Sequence, residues 1–223
     1  MQAIMETLFH TAYLGTVLVL GLVMMAKSKG RPYYKWFGIM ALTLGFGDAF
    51  HLIPRIIALT GTGLESHAAA LGFGKFVTSI TMTLFYLILY ALWKMRFKIK
   101  TGRLAEAAIW GLATLRIALC FFPQNRWFLY EGSPSWAIYR NIPFAIIGII
   151  MIVLWYRSGV RNNDINAKKI ALAILLSFGF YIPVVLWAQV HMIIGMLMIP
   201  KTLAYVWIVF IGFGEFRKVQ SQK

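Results

Sequence analysis

The sequence is poor in charged residues, and the few that it has are mostly of one sign. Charged residues make up 13% of the chain, with 7 acids against 22 lysines and arginines, whereas a soluble domain carries about 25% charged residues. So few charged side chains cannot cover a water-facing surface. Because 60% of the 223 residues are hydrophobic, we expect lipid to cover the chain instead. The length leaves room for one membrane domain, residues 1–223, and for no soluble domain.

Other features that the sequence lacks exclude further classes of protein. The single cysteine, Cys120, rules out a disulfide within the chain. The N-terminus has no basic region followed by a small-residue cleavage site, so we expect no cleaved signal peptide. The net charge of +15 does not predict a nucleic-acid partner, because the lysines and arginines form short clusters between apolar runs.

Seven stretches are long and apolar enough to be membrane spans, which need about 20 residues each. The sequence therefore predicts an all-α, seven-helix membrane bundle. The limit between the last two spans is the least marked. The predicted spans are residues 4–26, 33–59, 68–93, 103–122, 136–156, 168–189 and 193–213.

The lysines and arginines predict the orientation of the bundle. The first, third and fifth loops and the C-terminal tail hold sixteen of the 22. The positive-inside rule places these segments in the cytoplasm of a cell-membrane protein, with the N-terminus outside and the C-terminus inside. Lys27-Ser28 with Arg31, and Arg157-Ser158 with Arg161, recur at one offset. This recurrence is compatible with two parallel three-span repeats joined by span four.

Polar residues inside the spans concentrate in the predicted outer half of the bundle. Charged side chains at such positions are costly and mark function by default. The predicted inner halves are almost wholly apolar, apart from Glu106 and Glu215 at the basic edge, which we expect to pair with Lys or Arg. One-sided polarity predicts a pocket open to the outside. The outer polar residues are Glu6, His10, Asp48, His51, Arg55, Lys75, Arg116, Arg140, His191 and Lys201.

The acids and histidines of this set predict catalytic or metal-binding chemistry. Glu6 and His10 are four residues apart and Asp48 and His51 three apart, so each pair shares a helix face. His10, Asp48, His51 and His191 offer nitrogen and oxygen ligands that suit a divalent metal such as zinc. Without a metal, Asp48 and Glu6 could orient His51 and His10 as bases. The alternative is that Asp48 only pairs with a nearby Arg or Lys and that the histidines lie at the level of the headgroups.

The basic residues of the set predict a net-positive ligand site. Arg55, Lys75, Arg116, Arg140 and Lys201 outnumber the two acids, and guanidinium groups hold phosphate or carboxylate with two parallel hydrogen bonds. An anionic lipid or a small anionic molecule is therefore the expected ligand. The alternative for Arg55, Arg140 and Lys201 is that they extend to the outer headgroups.

Two families share features with this chain. The seven spans with Asp and His residues resemble the alkaline ceramidase and adiponectin-receptor superfamily of zinc hydrolases, which implies zinc and lipid hydrolysis. The family's last span carries a His-x-x-x-His pair, whereas His191 stands alone here. Residues 181–187 are similar to the retinal-lining helix of microbial rhodopsins, and Lys201 lies in span seven. Span three carries Lys75 instead of a carboxylate counterion, so retinal is not expected.

Two functions therefore remain open. The first is a membrane-embedded enzyme, hydrolase-like, that acts on a lipid or amphiphile with an anionic group. Asp48, His51, Glu6 and His10 would then be catalytic. The second is a non-enzymatic receptor, sensor or carrier for an anionic small molecule, which uses the same pocket only for binding.

Overall fold

The computed structural model describes residues 2–61, 63–188 and 190–222. It is all-helical over these residues, as the hydropathy pattern predicts. Short 3-10 helices precede α3 and α7 and follow α4. The seven α-helices are α1 (Gln2–Lys27), α2 (Pro32–Thr60), α3 (Ala68–Phe97), α4 (Arg103–Cys120), α5 (Pro134–Arg161), α6 (Ile165–Trp187) and α7 (Met198–Gln220).

Six of the seven helices are long and apolar enough to cross a membrane. The exception is α4, which has only 18 residues and includes the charged Arg103, Glu106 and Arg116. The segment between the last two predicted spans, which the sequence marks poorly, forms a 3-10 helix, Met192–Leu197. The predicted end of span six, Gln189, lies outside the described residues. The structure thus supports a multi-pass helical membrane bundle.

Consecutive helices pack against each other around the bundle. The helices α1, α2 and α3 form one closely packed group and α5, α6 and α7 another, while α4 lies between α3 and α5, and α1 contacts α7. Glycines allow the closest approaches. A Cβ atom on Gly74 of α3 would collide with the backbone of Phe50 and His51 in α2, and one on Gly47 would collide with Thr81. These glycines therefore fix how near α2 and α3 can lie.

The basic loops meet at one end of the bundle, where a hydrogen-bonded ion network joins four elements. Arg96, at the end of α3, donates to Asp164 at 2.6 and 3.0 Å, to Glu215 of α7 at 2.7 and 2.8 Å, and to the Tyr33 hydroxyl of α2 at 2.9 Å. Lys94 pairs with Glu106 at 2.6 Å. The expected pairing of Glu106 and Glu215 with cations is confirmed. We call this end, with residues 28–31, 98–102, 162–164 and the C-terminus, the basic end.

Candidate functional site

Asp48 of α2 points toward α1. Its Oδ2 accepts a hydrogen bond of 2.7 Å from the Tyr13 hydroxyl. Lys201 of α7 lies within electrostatic range of this carboxylate, although no ion pair of 4 Å or less joins them among the described residues. The pairing of Asp48 with an Arg or Lys, the alternative that the sequence left open, is therefore replaced by a tyrosine contact, with Lys201 farther away.

Lys201 is buried in the bundle instead of reaching outward. Only 6% of the residue is exposed, and its Nζ lies 5.0 Å from the Tyr181 ring centroid and 5.4 Å from that of Tyr205. Aromatic faces attract a cation without neutralising it. Extension to the headgroups, which the sequence left open for Lys201, is excluded by this burial.

Arg116 of α4 is the most deeply buried cation in the described part of the chain. It is 2% exposed, and its guanidinium carbon lies 3.3 Å from the centroid of the Phe144 ring of α5. Its Nε and Nη1 have no hydrogen-bond partner in the protein. Two buried nitrogens of a charged side chain are thus left without acceptors for their hydrogens, which is costly in any protein interior.

Aromatic side chains connect the two buried cations. Tyr181 and Tyr205, which flank Lys201, also lie within electrostatic range of Arg116. The hydroxyl oxygens of Tyr205 and Tyr86 are 3.2 Å apart. The Ser177 hydroxyl, 1% exposed, lies beside Tyr205 with no hydrogen bond of 3.5 Å or less. We call Arg116, Lys201, Phe144, Tyr181 and Tyr205 the cation–aromatic core.

Sequence reasoning missed the aromatic members of this core. It gave no part in the site to the tyrosines and phenylalanines of a 16% aromatic chain. One signal was available, because Tyr181 and Lys201 both occur near the predicted junction of spans six and seven. Proximity to Phe144 or Tyr205 depends on helix rotation, which spacing alone does not supply.

The remaining predicted catalytic residues lie on α1 and α2, apart from the cation–aromatic core. Glu6 is bound by Arg55, with Nε and Nη2 both 2.9 Å from its Oε2. Both ring nitrogens of His10, and Nδ1 of His51, are buried without a hydrogen-bond partner. His51 interacts with the backbone of Leu71 in α3. Asp48 therefore orients neither histidine, and the catalytic assignment stays a prediction.

Three residues that the sequence predicts as ligand-binding or metal-binding lie outside the cation–aromatic core. Lys75 is exposed on α3, where the like charges of Arg55 and Arg140 act on it. Arg140 donates to Oδ1 of the buried Asn125 at 2.9 Å. This hydrogen bond connects α5 to the segment after α4. His191 is exposed at the start of the 3-10 helix before α7.

The structure brings the proposed metal ligands together only in part. His10 and His51 lie within electrostatic range of each other, whereas Asp48 is turned to Tyr13. Across the described residues, no group of three or more His, Cys, Asp or Glu side chains could hold a metal ion.

Comparison with known proteins identifies no relative of this chain. No family model, curated protein or solved structure matches the chain. The chemistry of the cation–aromatic core and its surroundings is therefore the basis for a proposed function.

Proposed function

We propose that this protein is a non-enzymatic membrane receptor, sensor or carrier that binds a small organic anion in the cation–aromatic core. The observation that carries the proposal is Arg116, whose buried guanidinium has two nitrogens, Nε and Nη1, without acceptors. A carboxylate accepts two parallel hydrogen bonds from one edge of a guanidinium group, from Nη2 together with either Nε or Nη1. Such a ligand would supply an acceptor to a nitrogen that the protein leaves without one.

The charges around the core favour an anionic ligand. Arg116 and Lys201 contribute two positive charges and Arg140, within electrostatic range of Arg116, a third, whereas Asp48, within electrostatic range of Lys201, contributes one negative charge. The excess is positive, which an anion would balance. The rings of Phe144, Tyr181 and Tyr205 favour a ligand with an apolar or aromatic body, since binding sites combine apolar walls with a few placed polar groups.

Binding can be tested by thermal unfolding of the purified protein with chloride, acetate and benzoate at constant ionic strength. A ligand at a hundred times its Kd stabilises the folded state by about 2.7 kcal/mol. We expect a carboxylate to raise the Tm of the wild type but not of Arg116→Gln. The matched control is Lys75→Gln, which removes an exposed cation and should keep the response. Equal responses in all three proteins would contradict the proposal.

The orientation and the internal repeat belong to the same proposal. The N-terminus would be extracytoplasmic and the C-terminus cytoplasmic, because the basic loops share one end of the bundle and lysine and arginine mark cytoplasmic loops. The two helix groups on either side of α4 support a three-plus-one-plus-three arrangement. A cysteine placed at residue 2 or residue 222 of a Cys120→Ser chain, labelled in intact cells with an impermeant reagent, distinguishes the two orientations.

The hydrolase hypothesis retains one specific observation. His10 and His51 keep three buried ring nitrogens without partners, which could bind a metal or take a proton from water. Metal analysis of the purified protein tests this candidate. A stoichiometric metal that is lost in His51→Gln and kept in His191→Gln would favour an enzyme on α1 and α2. A metal-free wild type with no hydrolysis of amphiphilic esters or amides would leave binding as the function.

A further inference from the structure

A second candidate site lies at the basic end, on the outer surface between α6 and α7. A cavity of about 220 Å³ is lined there by Lys169, Lys218, Trp207, Phe210, Ile211 and Gly214. We call it the α6–α7 groove. Both lysines are exposed, and Phe210 is 50% exposed. The groove therefore combines a charged mouth with an apolar wall.

The charge at the mouth is not neutralised by the protein. Glu215 also lines the groove, but both of its carboxylate oxygens accept hydrogen bonds from Arg96, and Oε1 accepts another from Asn166. Among the described residues, Lys169 and Lys218 form no ion pair within 4 Å. Two lysines at one mouth thus present a site for a phosphate group.

From Lys218 to Trp207, the groove has the length of a lipid chain in one leaflet. Trp207 precedes Lys218 by eleven residues of α7, a distance of roughly 16 Å along the helix. One leaflet contributes about 15 Å of hydrocarbon. Between them, Gly214 leaves space, because a Cβ atom built there meets no atom within 4 Å. A chain that ran from the lysines past Gly214 would reach Trp207 at the middle of the membrane.

We propose that the α6–α7 groove binds an anionic phospholipid of the leaflet at the basic end. Lys169 and Lys218 hold the phosphate group, and one acyl chain lies along Ile211, Phe210 and Trp207. This site is separate from the cation–aromatic core and does not depend on the function proposed for it.

Native mass spectrometry of the full chain, titrated with phosphatidylglycerol or phosphatidylcholine of the same acyl chains, tests the proposal. We expect retention of phosphatidylglycerol over phosphatidylcholine. Each lysine near the membrane surface should contribute about fivefold in affinity, so Lys169→Gln with Lys218→Gln should weaken phosphatidylglycerol binding about thirtyfold. The charge-matched control is Lys98→Gln with Lys100→Gln at the same end.

A second pair of variants tests the chain-binding part of the groove. Gly214→Leu fills the wall without altering charge and should reduce phosphatidylglycerol retention, whereas Gly111→Leu, at another open glycine, should not. An unreactive Cys120 thiol, which is buried in the fold, shows that each variant is folded. The proposal is overturned by equal retention of the two lipids, by an equal loss in the charge-matched control, by an unaffected Gly214→Leu, or by glycerol phosphate displacing the lipid.

Discussion

Replacing Arg116 with methionine should stabilise the protein in the absence of ligand. Nε and Nη1 of Arg116 are buried without acceptors, and each such group costs about 1–3 kcal/mol. The contact with the Phe144 ring, at 3.3 Å, offsets about 2 kcal/mol of this cost. Methionine has a similar length and keeps a sulfur–aromatic contact of about 0.3–1.5 kcal/mol. The expected net gain is about 3 kcal/mol, within a range of about 0.3–5.5 kcal/mol.

The matched control is the same substitution at Arg140. This guanidinium donates to Asn125 at 2.9 Å and lies 4.4 Å from the Trp127 ring centroid. Removing a hydrogen bond to a charged group costs about 1.5–3 kcal/mol, so Arg140→Met should be less stable than the wild type. The two Arg→Met changes are thus expected to have opposite signs, although both remove one positive charge.

Thermal unfolding followed by circular dichroism measures both variants. A gain of about 3 kcal/mol corresponds to a rise of about 6–12 °C in Tm for a chain of this size. The reaction of a thiol dye with Cys120, the only cysteine, gives a second readout. If Arg116→Met is destabilised as much as Arg140→Met, Arg116 is satisfied within the fold. An anion in the cation–aromatic core would then find no unpaired guanidinium nitrogen to bind.

Three further changes test the packing and the basic end. Gly74→Ala should lower the unfolding free energy by about 1–3 kcal/mol, because a Cβ atom there meets the α2 backbone, whereas Gly179→Ala, where nothing lies within 4 Å, should not. Arg96→Gln should cost about 3–5 kcal/mol in denaturant unfolding because it leaves two carboxylates unpaired, while the more exposed Lys94→Gln should cost at most about 1 kcal/mol. Burial alone would raise the pKa of Asp164, but its hydrogen bonds from Arg96 and the Ala167 amide hold that pKa below the ordinary 3.8. Its contribution is therefore present above pH 3.8 and lost as the pH falls below that value, so an acid titration of Asp164→Asn should lack this loss.

Much of the fold could be predicted from the sequence because hydropathy reports burial in lipid directly. Helix number and approximate bounds follow from apolar run length, and the depth of Arg116 follows from its position in a helix. Contacts between helices do not follow in this way. Asp48 and His51, three residues apart, differ by roughly 60° around the helix axis. That difference lets one contact Tyr13 of α1 and the other Leu71 of α3.

At the basic end, the sequence predicts less than the structure shows. The basic residues there were interpreted as orientation signals, and function was expected only in the opposite half. The structure places Arg96 in a network of five hydrogen bonds, and two cavities, of about 220 and 520 Å³, lie beside Glu215 and Lys218. Charge counts predict on which side of a membrane a loop lies, but they do not distinguish a solvated lysine from one that lines a groove.

The scarcity of acids in the sequence bears directly on the cation–aromatic core. The chain has seven acids. Four of them pair with cations: Glu6, Glu106, Asp164 and Glu215. Asp48 accepts a hydrogen bond from a tyrosine. The other two, Glu65 before α3 and Glu131 after α4, are exposed. No described acid is therefore left for Arg116. A buried guanidinium without a counterion lowers stability, whereas an apolar residue of similar size would not. We therefore propose that this arginine serves to bind an anion and not to stabilise the fold.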